Sequence, residues 1–184
     1  MLGTLALSQV PDMTRAEEFD AGAAIKEMAA QTAAISNINT ISRVSEDLAF
    51  WQSVAILGGA NGWTFSYNTE GTEQLAWTLR LATVLGDSEN EIVRAQKALS
   101  RIKIFDDNQK AAVLDLYQDH ERLRSVSEQV HSLLIETKGD EATLLYEAKT
   151  IQLRRDIAST VYSLSSSLSK ANGKMALKAR VALK

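Results

Sequence analysis

The hydrophobic positions of the first half of the chain recur at steps of three and four residues. That spacing defines one face of an α-helix, whereas a strand would alternate at every second residue. The upstream part of this stretch is rich in alanine, which favours helix strongly and lets a neighbouring helix approach closely. The pattern therefore predicts one long amphipathic helix, whose buried stripe consists of Ile35, Ile38, Ile41, Val44, Leu48, Trp51 and Ala55.

Residues that break helices are concentrated in two places. The single proline is Pro11, and four of the nine glycines lie between residues 58 and 71. Because proline removes a helical hydrogen bond, its absence after Pro11 permits long helices. Thr14 and Glu17 form a capping-box pattern directly after it. We therefore predict a first helix over 14–57, followed by a loop over 58–71.

Three further helices are predicted over 72–104, 107–138 and 140–180. Asp106 or Asp107 is suited to cap the third helix. Gly139 is expected to take the left-handed position that ends the third helix, and Asp140 to cap the fourth. A second capping-box pattern, Ser88 to Glu91 after Gly86, indicates a kink or restart within the second helix.

The predicted fold class is all-α: an antiparallel, up-down-up-down four-helix bundle that comprises residues 1–184 as one domain. Short connections between the later helices favour antiparallel neighbours. At about 1.5 Å per residue, the first helix is roughly 65 Å long and, with the last helix, forms a long outer pair. Both termini then lie at one end, and the 58–71 loop lies at the opposite, distal end.

This arrangement resembles the extracytoplasmic four-helix-bundle sensor domains of bacterial chemoreceptors and sensor kinases. The resemblance rests on size, helix order, the long outer pair and the adjacent termini, and it includes no sequence motif. It implies a homodimer on the periplasmic side of an inner membrane, joined to it by segments absent from this chain. It also implies a small-molecule ligand, with an anion as one option, that binds in the distal half and displaces a helix. Without that resemblance, a cytoplasmic location is the alternative.

Composition excludes several other classes. The chain has no cysteine, which rules out disulfides and thiolate metal sites, and its net charge of −3 argues against nucleic-acid binding. Glu128 and His131 have the spacing of half a di-iron site, but two histidines in all make the complete site improbable. No catalytic motif is present, so we expect neither an enzyme nor a cofactor.

Two groups of residues are candidate ligand contacts. Aromatic residues concentrate around the predicted distal loop, where they either line a pocket or fill the core: Trp51, Trp63, Tyr67 and Trp77. Arg43, Arg124 and Arg154 are predicted at one height of the bundle. Converging guanidinium groups would bind a carboxylate or phosphate, whereas nearby acids would simply pair with them on a solvated surface.

The end of the chain is basic. Lys170, Lys174, Lys178, Arg180 and Lys184 are accompanied by no acid. Such residues suit the negative end of a helix dipole, and they also suit a surface of anionic lipid. The sequence thus leaves two functions open: a ligand-sensing domain, or a non-enzymatic helical module that binds a protein partner.

Overall fold

The structure, a computed structural model, describes residues 20–61 and 73–182, except for the side chains of 59–61, 73–76 and 182. The helices are α1 (Ala21–Asn61), α2 (Glu73–Leu99), α3 (Asp107–Ile135), α4 (Gly139–Leu145), a π-helical turn (Tyr146–Thr150) and α5 (Ile151–Ala182). The last three follow one another without interruption. The described part of the chain therefore consists of four helices without a strand, which confirms the all-α class.

The end predicted for the first helix is too early. Helix α1 continues through Gly58 to Asn61, four residues beyond the predicted end at residue 57, while its predicted start at Thr14 lies outside the described residues. Gly58 does not end α1. Its lack of a side chain allows α1 and α2 to approach each other closely. A Cβ atom at this position would lie 2.7 Å from Cδ1 of Trp77 on α2.

Helix α2 ends at Leu99, earlier than the predicted residue 104, and it runs through Gly86 and Ser88 without the predicted break. A tight turn follows, in which the Ile102 N–H donates to the Leu99 carbonyl at 3.0 Å. The chain leaves the helix here because Phe105, 7% exposed, turns back into the hydrophobic core.

Helix α3 begins as predicted, because Asp106 caps it. The Asp106 carboxylate accepts from the Gln109 N–H at 2.8 Å, and the Gln109 side chain accepts from the Asp106 N–H at 3.1 Å. These reciprocal bonds form a capping box.

The roles predicted for Gly139 and Asp140 at the end of α3 and the start of the next helix are wrong. The left-handed residue is Thr137, with φ of 61°, and not Gly139. The Lys138 N–H donates to the Leu133 carbonyl at 2.8 Å, which closes a Schellman-type turn two residues before the glycine. Helix α4 then starts at Gly139 behind Lys138, so Asp140 lies in its first turn and does not cap it.

The π-helical turn keeps the last helix in register with the core. Ala142, Thr150 and Ile157 are all buried, and they are separated by eight and then seven residues. A π-helical turn accommodates one additional residue within a helix. It therefore lets Ala142 and Thr150 face the same interior.

Buried positions elsewhere alternate at steps of three and four, a spacing typical of helices packed side by side at a small angle. In α3 the positions that follow these steps are Val113, Leu116, His120, Leu123, Ser127, Val130 and Leu134, and Val126 beside Ser127 is buried as well. Helix α1 packs on α2, α3 and α5. The core divides into a larger cluster around Leu48 and Leu123 and a smaller one around Ala55 and Val130.

We expect Gly58 and Gly86, which both lie inside helices, to respond oppositely to substitution by alanine. Gly58→Ala drives a methyl group into the stacked indole of Trp77 and should lower the free energy of unfolding by about 1–3 kcal/mol. Gly86→Ala meets no atom within 4 Å and should raise it by roughly 0.5–1 kcal/mol through helix propensity. Urea denaturation measures both changes, and equal responses would contradict the close approach at Gly58.

Candidate functional site

A cleft of about 270 Å³ lies between α1 and α2. Helix α1 contributes residues spaced by four, so that they share one face, and α2 contributes the opposite wall. The cleft is lined by Arg43, Val44, Asp47, Trp51, Arg80, Val84, Asp87, Ser88 and Glu91. Two of the predicted ligand contacts, Arg43 and Trp51, therefore lie in one site.

Trp51 forms the aromatic wall of this cleft. Its ring stacks on Trp77 with centroids 6.2 Å apart and an interplanar angle of 30°. The guanidinium carbon of Arg80 lies 5.2 Å from the Trp51 ring centroid, within the range of a cation–π interaction. The stacking contact with Trp77 fixes the position of the Trp51 ring. The Trp51 ring in turn positions the Arg80 guanidinium at the cleft wall.

The charges of the cleft are partly paired. Arg43 pairs with Glu91 across the cleft, and its Nη1 lies 3.3 Å from Asp47. Within the described part of the chain, Arg80 and Asp87 have no ion-pair partner. The cleft therefore offers one cation and one anion to a ligand in addition to its internal pairs.

The structure does not bring the three predicted arginines together. Arg43 pairs with α2, as described above. Arg124 lies 3.3 Å from Glu89, also on α2, and 3.3 Å from Glu128 on its own helix. Arg154 donates from Nε to Glu46 at 2.6 Å, between α5 and α1. Each arginine thus bridges a different pair of helices, and only Arg43 contributes to the cleft.

The predicted aromatic group is divided in the same way. Trp51 and Trp77 are half-buried and stacked on each other. Trp63 and Tyr67 lie outside the described residues. The structure therefore places two of the four predicted aromatic contacts at the α1–α2 interface.

Sequence reasoning missed Arg80 and a set of buried polar side chains. Arg80 follows Trp77 by one helical turn on α2, which is the signal that could have found it. The buried polar residues occupy core positions of the three- and four-residue repeat. Because they are polar, a stripe defined by hydrophobic residues does not include them. They include Ser45, Gln52, His120, Ser127 and Thr150.

Gln52 links three helices inside the core. Its side-chain amide nitrogen donates to Ser127 on α3, and its carbonyl oxygen accepts from the Thr150 hydroxyl at 2.7 Å. Ser127 in turn donates to the Leu123 carbonyl at 2.8 Å. All three side chains are fully buried and lie between the two hydrophobic clusters. We name Gln52, Ser127 and Thr150 the glutamine layer.

A second buried polar pair joins α1 and α3. Ser45 donates to the Ile41 carbonyl at 2.8 Å, so its oxygen accepts from Nδ1 of His120 at 2.9 Å. Nε2 of His120 is buried without a partner in the described part of the chain. Burial lowers the pKa of His120 to about 4, with a smaller contribution from the positive charge of Arg124. The imidazole is therefore neutral at physiological pH.

The described residues contain no cluster of three or more histidines and acids that would hold a metal ion. Glu128, whose spacing to His131 matches half of a di-iron site, pairs with Arg124. Over the same residues, no helix has both the length and the hydropathy needed to cross a membrane.

Comparison with known proteins gives no match: no family model, no curated protein and no solved structure is significantly similar to this chain. Assignment to a class therefore depends on the geometry described above.

The glutamine layer predicts a non-additive pair of substitutions. Gln52→Leu removes the acceptor of the buried Thr150 hydroxyl and should cost about 2 kcal/mol of unfolding free energy. Adding Thr150→Val removes the stranded hydroxyl and should recover most of that loss. Urea denaturation of the single and double variants gives the coupling energy. Additive losses would show that the hydrogen bond is energetically unimportant.

His120 predicts a loss of stability in mild acid. Well above pH 6.5 the imidazole is neutral in both the folded and the unfolded chain, so its contribution to stability is complete. As the pH falls from 6.5 to about 4, the unfolded chain takes up a proton that the folded chain excludes. This difference should cost about 3 kcal/mol by pH 4.

The control for this prediction is the other histidine. Carboxylates also titrate near pH 4, so the measured quantity is the difference between wild type and His120→Gln in stability across this range. His131→Gln leaves His120 and its buried surroundings unchanged, so this variant should retain the part of the pH dependence that His120 contributes. A wild-type slope in His120→Gln would contradict the assignment.

Proposed function

We propose that this chain is a small-molecule-sensing domain whose ligand binds in the cleft between α1 and α2. One observation supports this most directly: the Arg80 guanidinium lies over Trp51 in the cleft and has no acidic partner among the described residues. Ligand sites commonly combine an aromatic wall with a few polar groups that converge on it.

The dimensions and charges of the cleft favour a small polar metabolite. A volume of about 270 Å³ is slightly below the range of typical ligand pockets. Arg80 would bind a carboxylate or phosphate oxygen, because guanidinium groups bind these bidentately. Asp87, which has no ion-pair partner among the described residues, is a carboxylate acceptor for a donor group on the same ligand. This composition favours a ligand that carries both an anionic group and a hydrogen-bond donor.

A ligand in this position would act on the relative placement of two helices. Arg43 and Glu91 bridge α1 and α2 at one part of the cleft, and the Trp51–Trp77 stack joins them at another. A ligand that binds one arrangement of these helices more tightly than another shifts the population toward it. Helix displacement is therefore our proposed output.

The wider proposal includes the architecture and cellular context. We propose an antiparallel up-down-up-down bundle that forms a homodimer on the extracytoplasmic side of a bacterial membrane. Contacts at successive levels support the antiparallel arrangement: α1 meets α2 through Arg43 and Glu91 and, further along, through Trp51 and Trp77. The residue number of the contact on α2 thus decreases as the residue number on α1 increases, which is expected for antiparallel helices. The dimer and its location rest on the resemblance to sensor domains.

A thermal-shift screen tests the sensing proposal. The full chain is measured with amino acids, organic acids, amines and inorganic anions. A ligand at about 100 times its dissociation constant should stabilise by roughly 2.7 kcal/mol, equivalent to roughly 5–10 °C for a domain of this size. Arg80→Gln and Trp51→Leu should abolish the shift.

The matched control is Arg94→Gln, since Arg94 is an exposed arginine of α2 outside the cleft. This variant should keep the full response. A ligand whose shift survives Arg80→Gln would bind elsewhere and would overturn the assignment of the site.

A protein-binding helical module is the second candidate function. Phe50 and Leu57 are 57% and 54% exposed and stand two turns apart on one side of α1. Exposed apolar stripes of this kind are typical of helix-mediated recognition. Phe50→Ser with Leu57→Ser should leave small-molecule shifts intact and abolish partner binding, whereas the cleft variants should do the reverse.

A further inference from the structure

We propose that the last turns of α5, residues 170–181, form a docking surface for a membrane rich in anionic lipid. The proposal concerns a different part of the molecule from the α1–α2 cleft, and it does not depend on the sensing function. It arises from a combination of charge, exposed apolar residues and helix orientation.

The charge of this segment is of one sign. Lys170, Lys174, Lys178 and Arg180 are all exposed. Residues 157–184 contain no aspartate or glutamate. None of the four cations forms an ion pair with the described residues of the chain. The described residues thus leave this positive charge unpaired, although the chain as a whole carries a net charge of −3.

Two large apolar side chains lie within this cationic surface. Leu177 and Val181 are 63% and 67% exposed. At about 3.6 residues per turn, Lys170, Leu177 and Val181 project within roughly 40° of one another. Lys174 and Lys178 lie on one side of this line and Arg180 on the other. The apolar pair is therefore flanked by cations on both sides.

The opposite side of the same helix faces the protein. Leu168 is buried just before this segment, and Met175 and Ala179 within it are half-buried. The helix is thus oriented by the rest of the chain, so that the cationic surface points outward. The two apolar residues and the flanking cations would meet a flat partner together.

A lipid surface fits this arrangement better than an acidic protein does. Three of the four cations are long, flexible lysines, and they are distributed around the apolar pair together with Arg180. Lysine side chains extend their charges to the headgroup level while their aliphatic stems and neighbouring apolar residues contact the acyl boundary. Anionic headgroups provide many equivalent sites and require no fixed geometry.

Vesicle co-sedimentation tests the proposal with the full chain. We expect binding to phosphatidylcholine vesicles that contain phosphatidylserine, little binding to phosphatidylcholine alone, and loss of binding at high salt. The triple variant Lys170→Gln, Lys174→Gln, Lys178→Gln should bind about a hundredfold more weakly, since each cation contributes about fivefold at an anionic surface. Leu177→Ser with Val181→Ser should weaken binding about tenfold.

Matched controls separate the surface from net charge and from folding. Lys97→Gln, Lys103→Gln and Lys149→Gln together remove the same charge from exposed positions elsewhere. Leu114→Ser with Leu144→Ser removes apolar side chains that are similarly exposed. Both controls should bind as wild type does, and all variants should show the same thermal unfolding.

Two outcomes would overturn the proposal. If the wild-type chain does not sediment with phosphatidylserine vesicles, the membrane is excluded and an acidic protein becomes the occupant to seek. If the control triple variant loses as much binding as the α5 variant, attraction is unspecific and no docking surface exists. Ligand responses of the cleft are measured on the same variants and should be unchanged, so failure here leaves the sensing proposal intact.

Discussion

The hydrogen bonds of Gln52 are the constraint on which the packing of the core depends. Apolar contacts are not directional, so a hydrophobic interface between helices tolerates sliding by a turn. A buried amide that must satisfy both its donor and its acceptor tolerates much less. Because Gln52 binds Ser127 on α3 and Thr150 at the π-helical turn, it fixes the relative heights of three helices.

The same turn of α1 connects this layer to the cleft. Trp51 lines the cleft against α2, while its neighbour Gln52 points into the core. If a change at the cleft moves α1 against α3 and the last helix, that movement acts on the glutamine layer directly. Nearer the N-terminus of the same helix, Arg43 faces the cleft and Ser45 binds His120. The physical link between surface and interior is thus local, and it consists of adjacent residues on one rigid helix.

The arginines illustrate how a correct local observation leads to an incomplete picture. Their sequence positions predict a similar height, but convergence depends also on the direction in which each side chain leaves its helix. Arg43, Arg124 and Arg154 each find an acid on a different neighbouring helix. Exposed pairs of this kind contribute little stability individually. Arg80, which the spacing did not single out, is the cation that Trp51 positions in the cleft.

The sequence by itself determined the helices and placed a cap at Asp106 or Asp107, because both features depend on neighbours within a few residues. The three- and four-residue spacing and the scarcity of proline were sufficient for the helices. The structure decided between the two aspartates, since the hydrogen bonds of the capping box are made by Asp106. Only the tertiary structure decided that Gly58 admits Trp77, and that Gln52 and His120 face the interior. Their partners stand far away in sequence, and a polar residue is buried only where such a partner satisfies it.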